Sequence, residues 1–152
     1  MDLLVRWFRP GDADDVVSLH SQSAQWFEDF PVDRDFVLSV SERSDFRLAV
    51  AEDSGRVVGY VGVLFFETVG RAEVGPISVG DGYRGRGVGA SMMGFVLSFL
   101  KAHGVGRVVA TVKSSNRDAF FFFMDSGFSV EALLKQYTLK KEDAIQMVLF
   151  LD

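Results

Sequence analysis

The chain has 152 residues, 48% of them hydrophobic and only 3 of them proline, a composition that fits one packed domain over residues 1–152. A net charge of −5 argues against broad contact with nucleic-acid phosphates, and no apolar run reaches membrane-spanning length, so neither nucleic acid nor a membrane is expected as a partner. With no cysteine and 2 histidines, disulfides, thiolate clusters, a thiol nucleophile and a multi-histidine metal site are excluded, and no metal is expected.

The start, MDLLVRWFRPGDADD, shows no cationic segment followed by an apolar core, so a cytoplasmic protein is expected. Residues 3–8 predict a strand, stopped by Pro10-Gly11. Asp12 is placed to cap a helix whose apolar face begins with Val16, Val17, Leu19 and His20. Residues 33–42 predict a second short helix. Residues 46–52 and 56–67 predict two strands joined by the hairpin turn Asp53-Ser54-Gly55, and 71–79 returns as a third strand of the same meander. A helix over about 87–103 is apolar round most of its circumference, with Ser91, Gly94, Ser98 and Lys101 on its least buried side. A β-branched strand over 107–112 follows. Ser115 to Asp118 has capping-box spacing ahead of a short helix reaching about Asp125. Strands over 127–134 and 144–151 complete the order β-α-α-β-β-β-α-β-α-β-β, an α+β sheet domain without repeat or linker.

The most informative stretch is YRGRGVGASMMG, residues 83–94, where an extended segment passes into a helix. Arg84-Gly85-Arg86-Gly87-Val88-Gly89 places three alternate glycines and two arginines together, on an otherwise acidic body. Glycine lets backbone approach a ligand closely, and helix-start N–H groups with the helix dipole favour an anion. Arginine adds permanent charge suited to phosphate. The pattern asks for a phosphorylated cofactor. Gly85-x-Gly87-x-x-Ala90 satisfies the degenerate dinucleotide fingerprint, but the following strand RVVATV ends without the acidic residue that would hold a ribose. A nucleotide P-loop fails at Val88, where lysine is required.

Arg84-x-x-Gly87-x-Gly89 resembles the Q/R-x-x-G-x-G/A signature of the GNAT superfamily of N-acetyltransferases, and Asn116-x-x-Ala119 followed by Gly127-Phe128 resembles its second signature. The element order is similar to the GNAT fold over nearly the whole chain. The resemblance implies a mixed, mostly antiparallel sheet of about seven strands flanked by about four helices. It also implies acetyl-CoA as cosubstrate, with its pyrophosphate on the backbone of Arg84, Gly85, Arg86, Gly87, Val88 and Gly89. Relatives carry a bulged fourth strand that splays from the fifth. Gly75-Pro76 lies in the corresponding strand, and Ile77 and Val79 would offer backbone contacts to the pantetheine arm. Proline alone is equally consistent with an edge strand. Asn116 corresponds to an asparagine that contacts the same arm, and it is equally a helix N-cap.

Acetyl transfer needs a neutral amine, a donor for the tetrahedral oxyanion and a proton for the departing thiolate. By resemblance a backbone N–H near Val79 polarises the carbonyl and Glu73 accepts the amine proton. Glu73 is also readable as a strand-end carboxylate paired with Arg71 or solvent. Strand alternation places Glu73, Gly75, Ile77 and Val79 on one face. The tyrosine that protonates the thiolate in many relatives is Phe123 here, within Phe120-Phe121-Phe122-Phe123, which reads as core and leaves Phe123 as a cofactor-side wall.

The tail YTLKKEDAIQM, 137–147, is similar to a segment of protein N-terminal acetyltransferases at Tyr137, Glu142, Asp143, Ala144 and Met147, and Tyr137 is the candidate acid. Holding a lysine amine neutral at pH 7 costs ~4.6 kcal/mol, against ~1 kcal/mol for an α-amine. A site whose family tyrosine is missing therefore suits a peptide or protein N-terminus. A polyamine, amino acid or aminoglycoside acceptor is the second reading, and a non-catalytic acyl-CoA sensor the third. Glu28, Asp29, Asp33 and Asp35 are placed to draw a cationic substrate, or simply to face solvent. His20 reads as structural. A monomer or a homodimer is expected.

Overall fold

A computed structural model describes residues 1–27 and 31–152. Its elements, in order, are β1 (Leu3–Trp7), α1 (Ala13–Gln22), α2 (Arg34–Ser41), β2 (Phe46–Asp53), β3 (Arg56–Phe66), β4 (Arg71–Val79), α3 (Val88–Ala102), β5 (Arg107–Lys113), α4 (Arg117–Asp125), β6 (Ser129–Leu134) and β7 (Ala144–Phe150), with short 3-10 turns between some of them. One sheet of 7 strands runs in the order β1-β2-β3-β4-β5-β7-β6. All its pairings are antiparallel except β4 with β5. This is the fold class and element order that the sequence predicts.

The sheet is covered on both faces. On one, Val61, Val63, Val74, Val108 and Met147 pack with Met92, Val96 and Leu100 of α3 and with Phe123 of α4. On the other, Leu48, Val50, Val57 and Tyr60 pack with Ala13, Val16 and Leu19 of α1 and Val37 of α2. Each of the larger side chains among these contributes roughly 1.5–3 kcal/mol on leaving water. α3 presents Ser91, Gly94, Ser98 and Lys101 to solvent, as its periodicity predicts.

Two capping expectations are corrected. Asp12 precedes α1 but does not cap it: its carboxylate turns back to the Arg9 amide at 2.8 Å and takes both guanidinium nitrogens of Arg6, at 2.8 and 3.0 Å. The charge-assisted fork outcompetes a neutral cap. Ser115 likewise does not cap α4; Asn116 does, its side-chain oxygen accepting from the Ala119 amide at 3.2 Å. Of the four successive phenylalanines only Phe123 is wholly buried, while Phe121 is 53% exposed, so a single core role does not describe the run.

The sheet opens where the site lies. β4 pairs with β5 only over Arg71–Glu73, opposite Arg107–Val109. Beyond that, β4 is bulged: Val63 faces Val74 and Val61 faces Ile77, so three residues of β4 span two of β3. A cis peptide joins Gly75 and Pro76 in the bulge. Gly62 is obligatory opposite it, since a Cβ there would stand 2.9 Å from the Gly75 carbonyl oxygen and 2.9 Å from the Phe46 ring. The extra residue also reverses the side-chain parity. Glu73 lies opposite Leu64 and shares a face with Tyr60 and Ser78, whereas Ile77 and Val79 face α3. The expectation that Glu73, Ile77 and Val79 share one face is therefore wrong, because simple alternation holds only for an unbroken strand.

Candidate active site

A cleft of about 780 Å³ fills the opening between β4 and β5. Its walls are β4 from Glu73 to Val79, the glycine loop with the start of α3, the end of β5, the start of α4, and Tyr137 and Thr138 from the β6–β7 connection. The end of α1 and the segment after it close the remaining side with His20, Ser23, Trp26 and Phe27.

The loop leading into α3 has backbone geometry that would suit an anion. Gly82, Gly85 and Gly87 hold φ values of +84°, +73° and +84°, a conformation that any side chain would strain. Nothing lies within 4 Å of where a Cβ would stand at Gly85 or Gly87, so backbone geometry, not crowding, requires glycine there. Gly89 differs: a Cβ would sit 2.9 Å from the Phe122 ring, and close approach of α4 to α3 requires the missing side chain. Among the described residues the amides of 84–90 meet no hydrogen-bond acceptor. These unpaired N–H groups at the helix start, with its dipole behind them, fit a pyrophosphate.

The two arginines act differently from simple phosphate ligands. Arg84 Nε donates to the Val79 carbonyl at 3.1 Å and its Nη2 reaches Ser23 Oγ at 3.4 Å, tying the loop to the end of β4 and the end of α1. Arg86 donates to the Gly82 carbonyl at 3.2 Å and lies 5.1 Å over the Tyr83 ring. It is absent from the cleft wall, which holds every other predicted cofactor residue: Ile77, Val79, Arg84, Gly85, Gly87, Val88, Gly89, Asn116 and Phe123. Tyr83 in turn donates to Asp53 at 2.9 Å and pins the loop to the β2–β3 turn.

The Gly80 amide donates to the Val58 carbonyl at 2.8 Å, so even-numbered positions at the end of β4 direct their backbone toward β3. Alternation then turns the backbone of Ile77 and Val79 toward the gap left by β5. That is the geometry a polyamide arm needs to add itself as a partial strand. Asn116 has its oxygen engaged as the α4 cap and retains its amide N–H groups for the cleft. Phe123, 3% exposed, packs edge-on to Phe128 at 5.2 Å and presents only a phenyl ring.

Glu73 and Tyr137 both line the cleft. Tyr137 is 52% exposed and its amide donates to the Glu142 carbonyl at 2.9 Å, which fixes the β6–β7 connection at the rim. Lys113 reinforces that rim, with Nζ 2.8 Å from the Gln25 carbonyl and 3.2 Å from Glu142. Asp33 and Asp35 do not line the cleft; Asp33 caps α2 by accepting from the Phe36 amide at 2.8 Å. Glu28 and Asp29 lie outside the described residues.

Sequence reasoning passed over the contribution of α1. His20 Nδ1 is 2.7 Å from the Tyr60 hydroxyl, and the ring stacks on Phe27 with centroids 4.7 Å apart. Burial pushes the His20 pKa down, so the ring is neutral at pH 7. Ser23 Oγ lies 3.0 Å from Ser78 Oγ, which donates to the Leu19 carbonyl at 3.2 Å and locks α1 against β4. Only the Trp26-Phe27 aromatic pair beyond the helix offered a sequence signal for this wall. Among the described residues no group of three or more His, Cys, Asp or Glu side chains is placed to hold a metal ion.

Comparison with known proteins bears on this cleft. The family model "Acetyltransferase (GNAT) family" matches residues 13–128. No curated protein matches the chain by sequence. Among solved structures, ribosomal-protein-alanine N-acetyltransferase from Brucella melitensis is 22% identical, with a TM-score of 0.85 over 97% of this chain and 99% of that one. The yncA protein of Salmonella typhimurium, solved with its cofactor acetyl-CoA, is 22% identical with a TM-score of 0.86, over 100% of this chain and 95% of that one. A variant of spermidine N-acetyltransferase SpeG from Vibrio cholerae is 17% identical with a TM-score of 0.83, over 97% and 94%.

Proposed function

The chain belongs to the acetyltransferase (GNAT) family, and on that footing we propose that it moves the acetyl group of acetyl-CoA onto the α-amine of a peptide or protein N-terminus. The carrying observation is the divided cleft. Its loop end has the unpaired amides of 84–90, and the same cavity carries a carboxylate and a tyrosine at Glu73 and Tyr137.

In this reading the pyrophosphate rests on the loop amides and the arm runs along Ile77 and Val79. The Val79 N–H polarises the thioester carbonyl, in the manner of an oxyanion donor. The amine nitrogen forms the new C–N bond, its proton passing to Glu73 directly or through water. The C–S bond breaks, and Tyr137 gives the thiolate its proton. An α-amine needs only ~1 kcal/mol to be neutral at pH 7, a demand that a single carboxylate meets more easily than the ~4.6 kcal/mol of lysine. The fold likeness to a ribosomal-protein-alanine acetyltransferase supports the same acceptor. The likeness to a spermidine acetyltransferase favours a second reading, a small polyamine acceptor. A sensor without turnover is set aside, because the family is one of transferases.

Thiol release from acetyl-CoA, measured across N-terminal peptides, lysine peptides, polyamines and aminoglycosides, separates these readings. Release confined to peptides with a free α-amine supports the first. Release confined to polyamines replaces it with the second.

A further inference from the structure

The wall contributed by α1 has a polar feature that neither thioester chemistry nor cofactor binding uses. Tyr60 is 1% exposed, and its hydroxyl has a single hydrogen-bond partner among the described residues, Nδ1 of His20 at 2.7 Å. Burial raises the Tyr60 pKa far above the ordinary phenol value, so the hydroxyl keeps its proton. A buried O–H left without an acceptor is costly, and Nδ1 is the acceptor in reach. A neutral imidazole that accepts at Nδ1 carries its own proton on Nε2.

Nδ1 is turned toward the core, Phe27 covers one face of the ring, and the residue lines the cleft. No described residue accepts from Nε2. Tyr60 also stands opposite Ser78 in the sheet, which brings the His20 ring beside the Ile77–Val79 segment where the thioester carbonyl would be held.

We propose that His20, oriented by Tyr60, recognises the acceptor: its Nε2–H donates to the carbonyl oxygen that neighbours the amine in an α-aminoacyl substrate. This rests on the α-amine reading above and deepens it. The cleft selects amines by the oxygen beside them, and a polyamine has none. His20 in this role is a donor and not the base, since its free nitrogen lone pair is already taken by the tyrosine proton. Phe27 and Tyr60 fix the ring plane before substrate arrives, which spares the ordering cost of binding.

The test compares two acceptors that share the amine-bearing carbon, alanine amide and isopropylamine, the second with a methyl where the first has its carboxamide, in wild type, His20→Leu and His20→Gln. Glutamine restores an N–H near the Nε2 position; leucine does not. Comparing each variant with wild type on the same acceptor cancels the difference in amine basicity. The expected result is a loss of about tenfold in kcat/KM for alanine amide in His20→Leu, under about twofold for isopropylamine, and recovery of most of the loss in His20→Gln. Long-range proton–nitrogen correlation spectra of the wild-type imidazole should show the Nε2–H tautomer. Should His20→Leu not fold, Tyr60→Phe serves, because it frees Nδ1 to take the proton and should weaken alanine amide alone. Equal losses on both acceptors, or the Nδ1–H tautomer, overturn the inference and leave the α-amine reading standing. Failure of wild type to acetylate alanine amide while acetyl-CoA binds overturns the α-amine reading, and this inference with it.

Discussion

Glu73 and Ile77 point to opposite faces of the sheet although four positions separate them on one strand, because the Gly75-Pro76 bulge inserts a residue between them. Glu73 therefore reaches the cleft from the side of α1 and α2, while Ile77 and Val79 direct their side chains to α3. In the proposed reaction a base at Glu73 and a thioester held by β4 backbone would approach each other across the strand.

Replacement of Glu73 by glutamine should accordingly lower kcat by about 10²-fold to 10⁴-fold, the usual contribution of a general base, and leave acetyl-CoA affinity within about twofold. Steady-state thiol release and calorimetric titration with acetyl-CoA measure the two separately. A matching loss of cofactor affinity would assign Glu73 to the cofactor side instead.

Tyr137→Phe should cost about 10²-fold or more in kcat, whereas Phe123→Tyr should leave kcat within about threefold. Phe123 is closed in by Phe122 and Phe128, with centroids at 5.4 and 5.2 Å, and Tyr137 stands open at the rim. A large gain from Phe123→Tyr would show that acid catalysis is limiting and that Tyr137 does not supply it.

Gly62→Ala should destabilise the fold by about 1–3 kcal/mol, since the new methyl meets the Gly75 carbonyl and the Phe46 ring at 2.9 Å. Gly87→Ala should cost about 1 kcal/mol in stability, from its φ of +84°, but weaken acetyl-CoA binding more visibly by disturbing the cradle. Urea melts and calorimetric titrations of the two variants distinguish these effects.

The Arg6–Asp12 pair should give stability an acid limb. Burial pushes the Asp12 pKa up, but hydrogen bonds from Arg6 and the Arg9 amide more than offset it, and the folded value is depressed. Folding stability from this group is then fully present above the ordinary carboxylate pKa of about 3.9 and lost as pH falls through the lower folded value. Asp12→Asn should lower stability at pH 7 by about 1.5–3 kcal/mol, the worth of hydrogen bonds to a charged group, since Arg6 keeps Glu52 as a partner, and flatten the loss below about pH 4. Urea midpoints measured from pH 7 downward report both.

Much of this was legible in the chain because it rests on local rules. The hairpin at Ser54-Gly55, with φ of +52° and +86°, follows from its residues, and Gly87 at the head of α3 follows from its flanks. The bulge at Gly75-Pro76 is implied by resemblance alone, and strand alternation carried straight through it misplaces Glu73. His20 was hidden for a different reason. Its meaning lies in Tyr60, 40 positions away, and only the packing of α1 on β3 brings the two together. Asp12 illustrates the same limit: its spacing fits a cap, but an arginine from β1 and the Arg9 amide redirect it.

The acceptor is tested most directly by a peptide that begins with alanine and carries one internal lysine, incubated with the protein and acetyl-CoA and sequenced by tandem mass spectrometry. The account predicts a single acetyl group on the α-nitrogen, absent when Glu73 is glutamine. An acetyl group found on the lysine alone, or a peptide left unmodified while spermidine is acetylated, would contradict it.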